Sequence, residues 1–107
     1  MKPSQALKRI IDSYFDRFHE ETIQAGDWIT RGRNLREAFR EWADLNDPQR
    51  GVATYVRFTA CLRERGYRAR RLPGGWEWVG FRIRPEVLKP LLERREAARI
   101  SATLPPE

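Results

Sequence analysis

Cysteine, histidine and lysine are scarce in this sequence: one cysteine, one histidine and three lysines in 107 residues. A single thiol, Cys61, excludes an internal disulfide and a cysteine-built zinc site. It falls on the apolar side of a helical stretch and reads as a small core residue. His19 follows an apolar stripe with no evident partner, which suits packing or surface rather than catalysis. No run approaches the ~18 consecutive apolar residues of a membrane span. The start, Met1-Lys2-Pro3-Ser4-Gln5, has no apolar signal core. The expectation is a cytoplasmic chain with no membrane partner. There is no glycine–lysine phosphate loop of the G-x-x-x-x-G-K-[ST] kind. The acids Glu20, Glu21, Glu37, Glu41, Asp44 and Asp47 lie among balancing bases and form no evident metal cage. No catalytic residue, metal or cofactor is expected, so the chain reads as a non-enzyme.

Carboxylates are also unevenly missing. The net charge is +6, yet residues 1–56 hold nine basic and nine acidic side chains, and residues 85–107 hold four of each. The whole excess therefore falls in residues 57–84, where eight arginines (57, 63, 65, 68, 70, 71, 82 and 84) face only Glu64 and Glu77. A basic block of this kind is the electrostatic footprint of a phosphate-binding surface. Arginine-rich composition alone would explain the abundance of arginine, but not the shortage of carboxylates among it.

The rest of the sequence patterns as one domain over residues 1–100 with a disordered tail at 101–107. Leu7, Ile10, Ile11, Tyr14, Phe15 and Phe18 recur at helical spacing, predicting a helix over about 5–23 with Ser4 as its cap. Gly26 and Asp27 punctuate the chain before a minimal strand, Trp28-Ile29-Thr30. A second helix from about Arg33 carries Leu35, Ala38, Phe39 and Trp42, and stops at Asn46-Asp47-Pro48. A third begins at the cap Thr54, turns Tyr55, Phe58, Cys61 and Leu62 inward and ends at Gly66. The period then changes to two, giving strands on either side of Pro73-Gly74-Gly75. In the second strand Val79, Phe81 and Ile83 should share one face, and Trp76, Trp78, Arg82 and Arg84 the other. Pro85 opens a last helix over about 85–100, which Pro90 would kink or shorten. The predicted class is mainly α (α+β): a winged helix-turn-helix spanning about 33–66, a two-stranded hairpin wing over about 67–84, and an extra N-terminal helix.

In that layout the third helix enters the major groove and the wing touches the backbone. Val56, Arg57, Ala60, Arg63 and Glu64 fall on the outward arc of that helix, with Thr59 at its edge. Arg57 and Arg63 are the candidates for base or deep-groove contact, and the small residues Ala60 and Thr59 for a thymine methyl. Arg68, Arg70, Arg71, Arg82 and Arg84 on the wing, with Arg50 in the preceding loop, are the candidate phosphate contacts. Trp78 fits core packing. Trp76, beside the turn, is equally suited to packing and to stacking on an unpaired base.

The stretch from Trp28 to Arg84 resembles the C-terminal winged-helix domain of phage and poxvirus-type primase–helicases. The likeness rests on Leu35, Phe39 and Trp42; on Thr54, Phe58 and Leu62 within TYVRFTACLRERGY; on Gly66; and on Trp78-Val79-Gly80 within GWEWVGFRI. It implies a module that binds duplex DNA in replication, either the terminal part of a longer protein or a small free-standing one, without ATPase or primase motifs of its own. Transcriptional regulation is equally compatible with the residues. The alternative is a small phage-type interaction module whose arginines meet a protein partner, such as a host nucleic-acid enzyme. The first helix leaves a monomer and a homodimer both open.

Overall fold

The computed structural model describes residues 3–103, with side chains from Gln5 onward. The apolar spacing of the first segment produces α1 (Pro3–Thr22), which begins ahead of the expected cap Ser4. It buries Phe15 and Phe18 and half-buries Ile11 and Tyr14, while Leu7 and Ile10 stay exposed. β1 (Ile23–Arg31) follows directly, then α2 (Gly32–Asn46), α3 (Tyr55–Glu64), β2 (Arg68–Leu72), β3 (Gly75–Ile83) and α4 (Pro85–Thr103). This is an α+β domain of four helices and an antiparallel three-stranded sheet in the order β1-β3-β2.

The core is an aromatic cluster held where α1, α2 and α3 meet. Phe58 of α3 sits at its centre, with ring centroids 4.9 Å from Phe39, 5.3 Å from Phe18, 5.5 Å from Phe15 and 5.8 Å from Trp42. The Phe39 and Phe15 rings meet it edge-on, and such pairs add to the area that the rings bury. The Trp42 indole N–H, which would be costly to leave unpaired, donates to Glu21 at 2.6 Å. The loop between α2 and α3 is organised by Asp47, whose carboxylate accepts from the backbone N–H groups of Val52, Ala53 and Gly51. Those bonds, Val52 first, hold its pKa below the ordinary value. Thr54 then caps α3 as expected, its hydroxyl accepting from Arg57 N at 3.2 Å, and Gly66 closes the helix at φ +93°.

Three features depart from the sequence-based expectation. β1 is nine residues long rather than three, because Gly26 and Asp27 bulge the strand instead of ending it. Ala25 faces Phe81 while Ile29 faces Val79, so β1 carries two extra residues between those pairs. A Cβ on Gly26 would run into the Trp28 indole, which folds back over the bulge. In β3 the two-residue alternation slips at Gly80, which has φ +111°. Trp78, Phe81 and Ile83 are consequently all buried, while Val79 turns outward, against the expected grouping of Val79 with Phe81 and Ile83. Finally, Pro90 is accommodated inside a continuous α4. Leu91, Val87 and Leu88 pack on Ala38 and Ile83, and Arg94 and Arg95 pair with Glu41 and Glu37 of α2. The helix runs to Thr103, into the expected tail, the remainder of which lies outside the described residues.

Candidate nucleic-acid interface

Strand alternation divides the arginine block between the two faces of the sheet. Arg68 pairs with Val79 and Arg70 with Glu77, so both project from the outer face, away from the helices. Arg70 forms an ion pair with Glu77 there. Arg82 also points outward; its Nε donates to Gln24 at 2.8 Å and its guanidinium lies 4.2 Å from the Trp28 ring centroid. Around them Trp28, Ile29 and Val79 are partly exposed. Arg71, by contrast, pairs with Trp76 and shares the inner face with Ala69 and Trp78.

The remaining candidates separate further. Arg57 turns back on the loop, donating to the carbonyls of Val52 at 3.1 Å and Gly51 at 3.3 Å, so it staples the α2–α3 connection rather than reaching outward from α3. Thr59 is 9% exposed and its hydroxyl donates to Val56 O at 3.0 Å; it is largely packed, and lines the same recess as Arg63 and Trp78. Arg84 donates to the carbonyl of Glu20, beyond the end of β3 and beside α1. Arg50 has φ +55° and folds onto α2, bonding to Asp44 and to the Arg40 carbonyl. Arg65 is paired with Asp16 of α1. The single continuous patch expected from the sequence is therefore not formed.

What the fold assembles instead is a groove between α3 and the hairpin, closed at one side by the start of α2. Its volume is about 550 Å³. Arg63 comes from α3, its guanidinium 5.3 Å from the Trp78 ring centroid. Arg33 and Arg36 come from α2, and Arg36 stacks on Tyr55 at 5.3 Å. Among the described residues no carboxylate lines this groove. Arg36 also lines an adjoining recess of about 420 Å³ with Arg40, Arg50 and Thr54. Arg33, Arg36 and Arg40 recur at i, i+3 and i+7, so α2 presents a basic ridge alongside the N-terminus of α3. Arg36, Arg40 and Arg63 have no carboxylate partner among the described residues, whereas Arg33 meets Glu37 at 3.4 Å. Glu37 is partly buried, which alone would raise its pKa, but Arg95 and Arg33 outweigh that and lower it.

The hairpin is seated by Gly32. A Cβ there would come within 3.0 Å of the Trp76 carbonyl oxygen and 3.1 Å of its Cβ. Trp78, 2% exposed, forms the groove floor, and Trp76, 51% exposed, stands at its rim beside Arg71. Burial pushes the Tyr55 hydroxyl up in pKa, against the opposing effect of the Arg36 charge.

Sequence reasoning missed Arg33, Arg36 and Arg40 because they belong to a stretch whose charges sum to zero. The signal was their spacing on the polar side of an otherwise clear amphipathic helix. Elsewhere, His19 packs against Tyr67, with a ring nitrogen 2.8 Å from the hydroxyl. Cys61 is buried, and burial, followed by the nearby Asp12 and Glu64, raises its pKa. Among the described residues no helix is long and apolar enough to cross a membrane. Comparison of the chain with protein families, curated proteins and solved structures gives no match.

Proposed function

We propose that this chain is a winged helix-turn-helix module that binds DNA and catalyses no reaction. The observation that carries the reading is the groove beside α3, where Arg33, Arg36 and Arg63 converge on a surface with no lining carboxylate among the described residues. The order α1-β1-α2-α3-β2-β3 with a β1-β3-β2 sheet supports it, because it sets a short helix beside a hairpin as winged-helix modules do. In this reading α3 offers Val56 and Ala60 to the major groove, and Arg63 joins the α2 ridge in taking the flanking phosphates. The resemblance to phage and poxvirus-type primase–helicase modules would place such a domain in replication. The residues that carry it, such as Leu35, Phe39, Phe58 and Leu62, are core positions, so they speak for the fold more than for the task.

Binding to duplex DNA of random sequence, measured against salt, tests the proposal. If Arg33, Arg36, Arg40 and Arg63 neutralise phosphates, log affinity falls against log salt with a slope of about −3 to −4. Replacing Arg36 and Arg63 by alanine flattens that slope by about two. Salt-independent or undetectable binding would overturn the reading. A second reading, a protein-interaction module, draws on the outer sheet face, where Trp28, Ile29 and Val79 are exposed among arginines. A protein retained from nuclease-treated lysate by a chain with no DNA affinity favours it, provided that replacing Ile29 releases that protein.

A further inference from the structure

A groove that only received a duplex would need outward cations and an inserted helix. This one is also lined with aromatic rings. Trp78 closes its floor and Tyr55 lines it, with Arg63 and Arg36 lying over those two rings at 5.3 Å each, while the Trp76 indole stands half-exposed at the rim. Its volume of about 550 Å³ lies within the range of small-molecule sites. Trp76 lines a second recess as well, bounded by Arg31, Arg33 and the hairpin turn, so its indole is approached from two directions. Arg71 lies 6.0 Å from the Trp76 ring centroid, close enough to pair with a phosphate next to anything stacked there.

A base inside a duplex is stacked on both faces and has none to offer an indole, whereas an unpaired base has. Aromatic rings set among arginines are how single-stranded nucleic acid is held: rings take the bases and cations follow the backbone. We infer that the Trp76–Tyr55 groove receives an unpaired nucleobase, so that the preferred ligand is DNA carrying a single-stranded extension next to a duplex. This rests on the DNA-binding reading and sharpens it, with the α2 ridge holding duplex phosphates and the aromatic groove taking the first unpaired base. Trp28 offers a built-in control. It is an exposed indole beside an arginine too, but it lies over the bulge on β1, covered by Arg82, and lines no part of this groove.

The test compares binding of the full chain to a blunt duplex and to the same duplex bearing an extension of about five nucleotides, within the span such sites cover. The extension should tighten binding about tenfold, the order of effect of one stacked base, and should quench tryptophan fluorescence. Trp76→Ala should abolish that gain, so that the extended and the blunt duplex bind alike. Trp76→Phe should restore most of it, and Trp28→Ala should leave it intact. Equal affinity for both ligands, or a gain that survives Trp76→Ala, would overturn the inference and leave duplex binding standing. No affinity for either ligand would overturn the DNA-binding reading itself.

Discussion

The two faces of the sheet carry the same residue types, arginine and tryptophan, yet are built for different ends. On the inner face Trp78, Phe81 and Ile83 are buried against the helices, and the buried Thr30 hydroxyl donates to the Phe81 carbonyl at 2.7 Å. Arg63 and Arg71 at its margin lie over tryptophan rings and, among the described residues, pair with no carboxylate. On the outer face Arg70 is spent on Glu77 and Arg82 on Gln24 and Trp28. Charge per stretch of sequence is thus a poor guide to charge per surface. Arginines adjacent in the chain alternate between faces, while Arg36, distant in sequence, ends up beside Arg63.

The comparison is broken most forcefully through its two tryptophans. Trp78→Ala, at 2% exposure, should cost about 3–5 kcal/mol of unfolding free energy, since it removes a ring from the core. Trp28→Ala, at 37% exposure, should cost no more than about 1 kcal/mol, as surface changes do. Denaturant unfolding measures both, and comparable losses would mean that the outer face is a core surface in disguise. Next come the arginines. Replacing Arg36 and Arg63 together should weaken duplex binding by about tenfold or more, as expected for two charge-assisted contacts. Replacing Arg68 and Arg82 should change it by less than about threefold, and the reverse ranking would move the interface to the outer face. Smaller still is the cap. Thr54→Ala should cost about 1 kcal/mol and speed amide exchange in the first turn of α3, leaving β1 and β3 as protected as before.

Much of the scaffold was legible because it depends on local pattern. The stripe from Leu7 to Phe18, the cap at Thr54 and the glycine stop at Gly66 each express an interaction within a few residues, and each matches the structure, except that α1 starts ahead of Ser4 and leaves Leu7 and Ile10 exposed. The strands were less legible, because bulges are settled across strands. Nothing local to Gly26 says that Trp28 will fold over it, and nothing local to Gly80 says that Val79 and Trp78 will exchange faces. The site was least legible. Arg57 is outward on a helical wheel, but its long side chain finds two loop carbonyls, and Thr59 is polar but buries itself by bonding its own helix. Only the fold brings the ridge of α2 against α3.

The subtlest expected effect concerns how the base of the hairpin is joined to α1. His19 stacks on Tyr67, with centroids 5.8 Å apart, one residue before β2 begins. Burial, and then the positive charge of Arg84, lower the His19 pKa from its ordinary value of 6.5. Because the folded state disfavours the proton, the unfolded chain binds more of it. This contribution is fully present above pH 6.5 and declines as pH falls toward the depressed folded pKa. Unfolding free energy should therefore slope downward just below pH 6.5, and His19→Gln should flatten that segment. Arg84→Met should shift the imidazole titration upward, as followed by NMR. An imidazole titrating at or above 6.5 in the folded chain would show that the ring stands in water, and the packed junction between α1 and the hairpin would go with it.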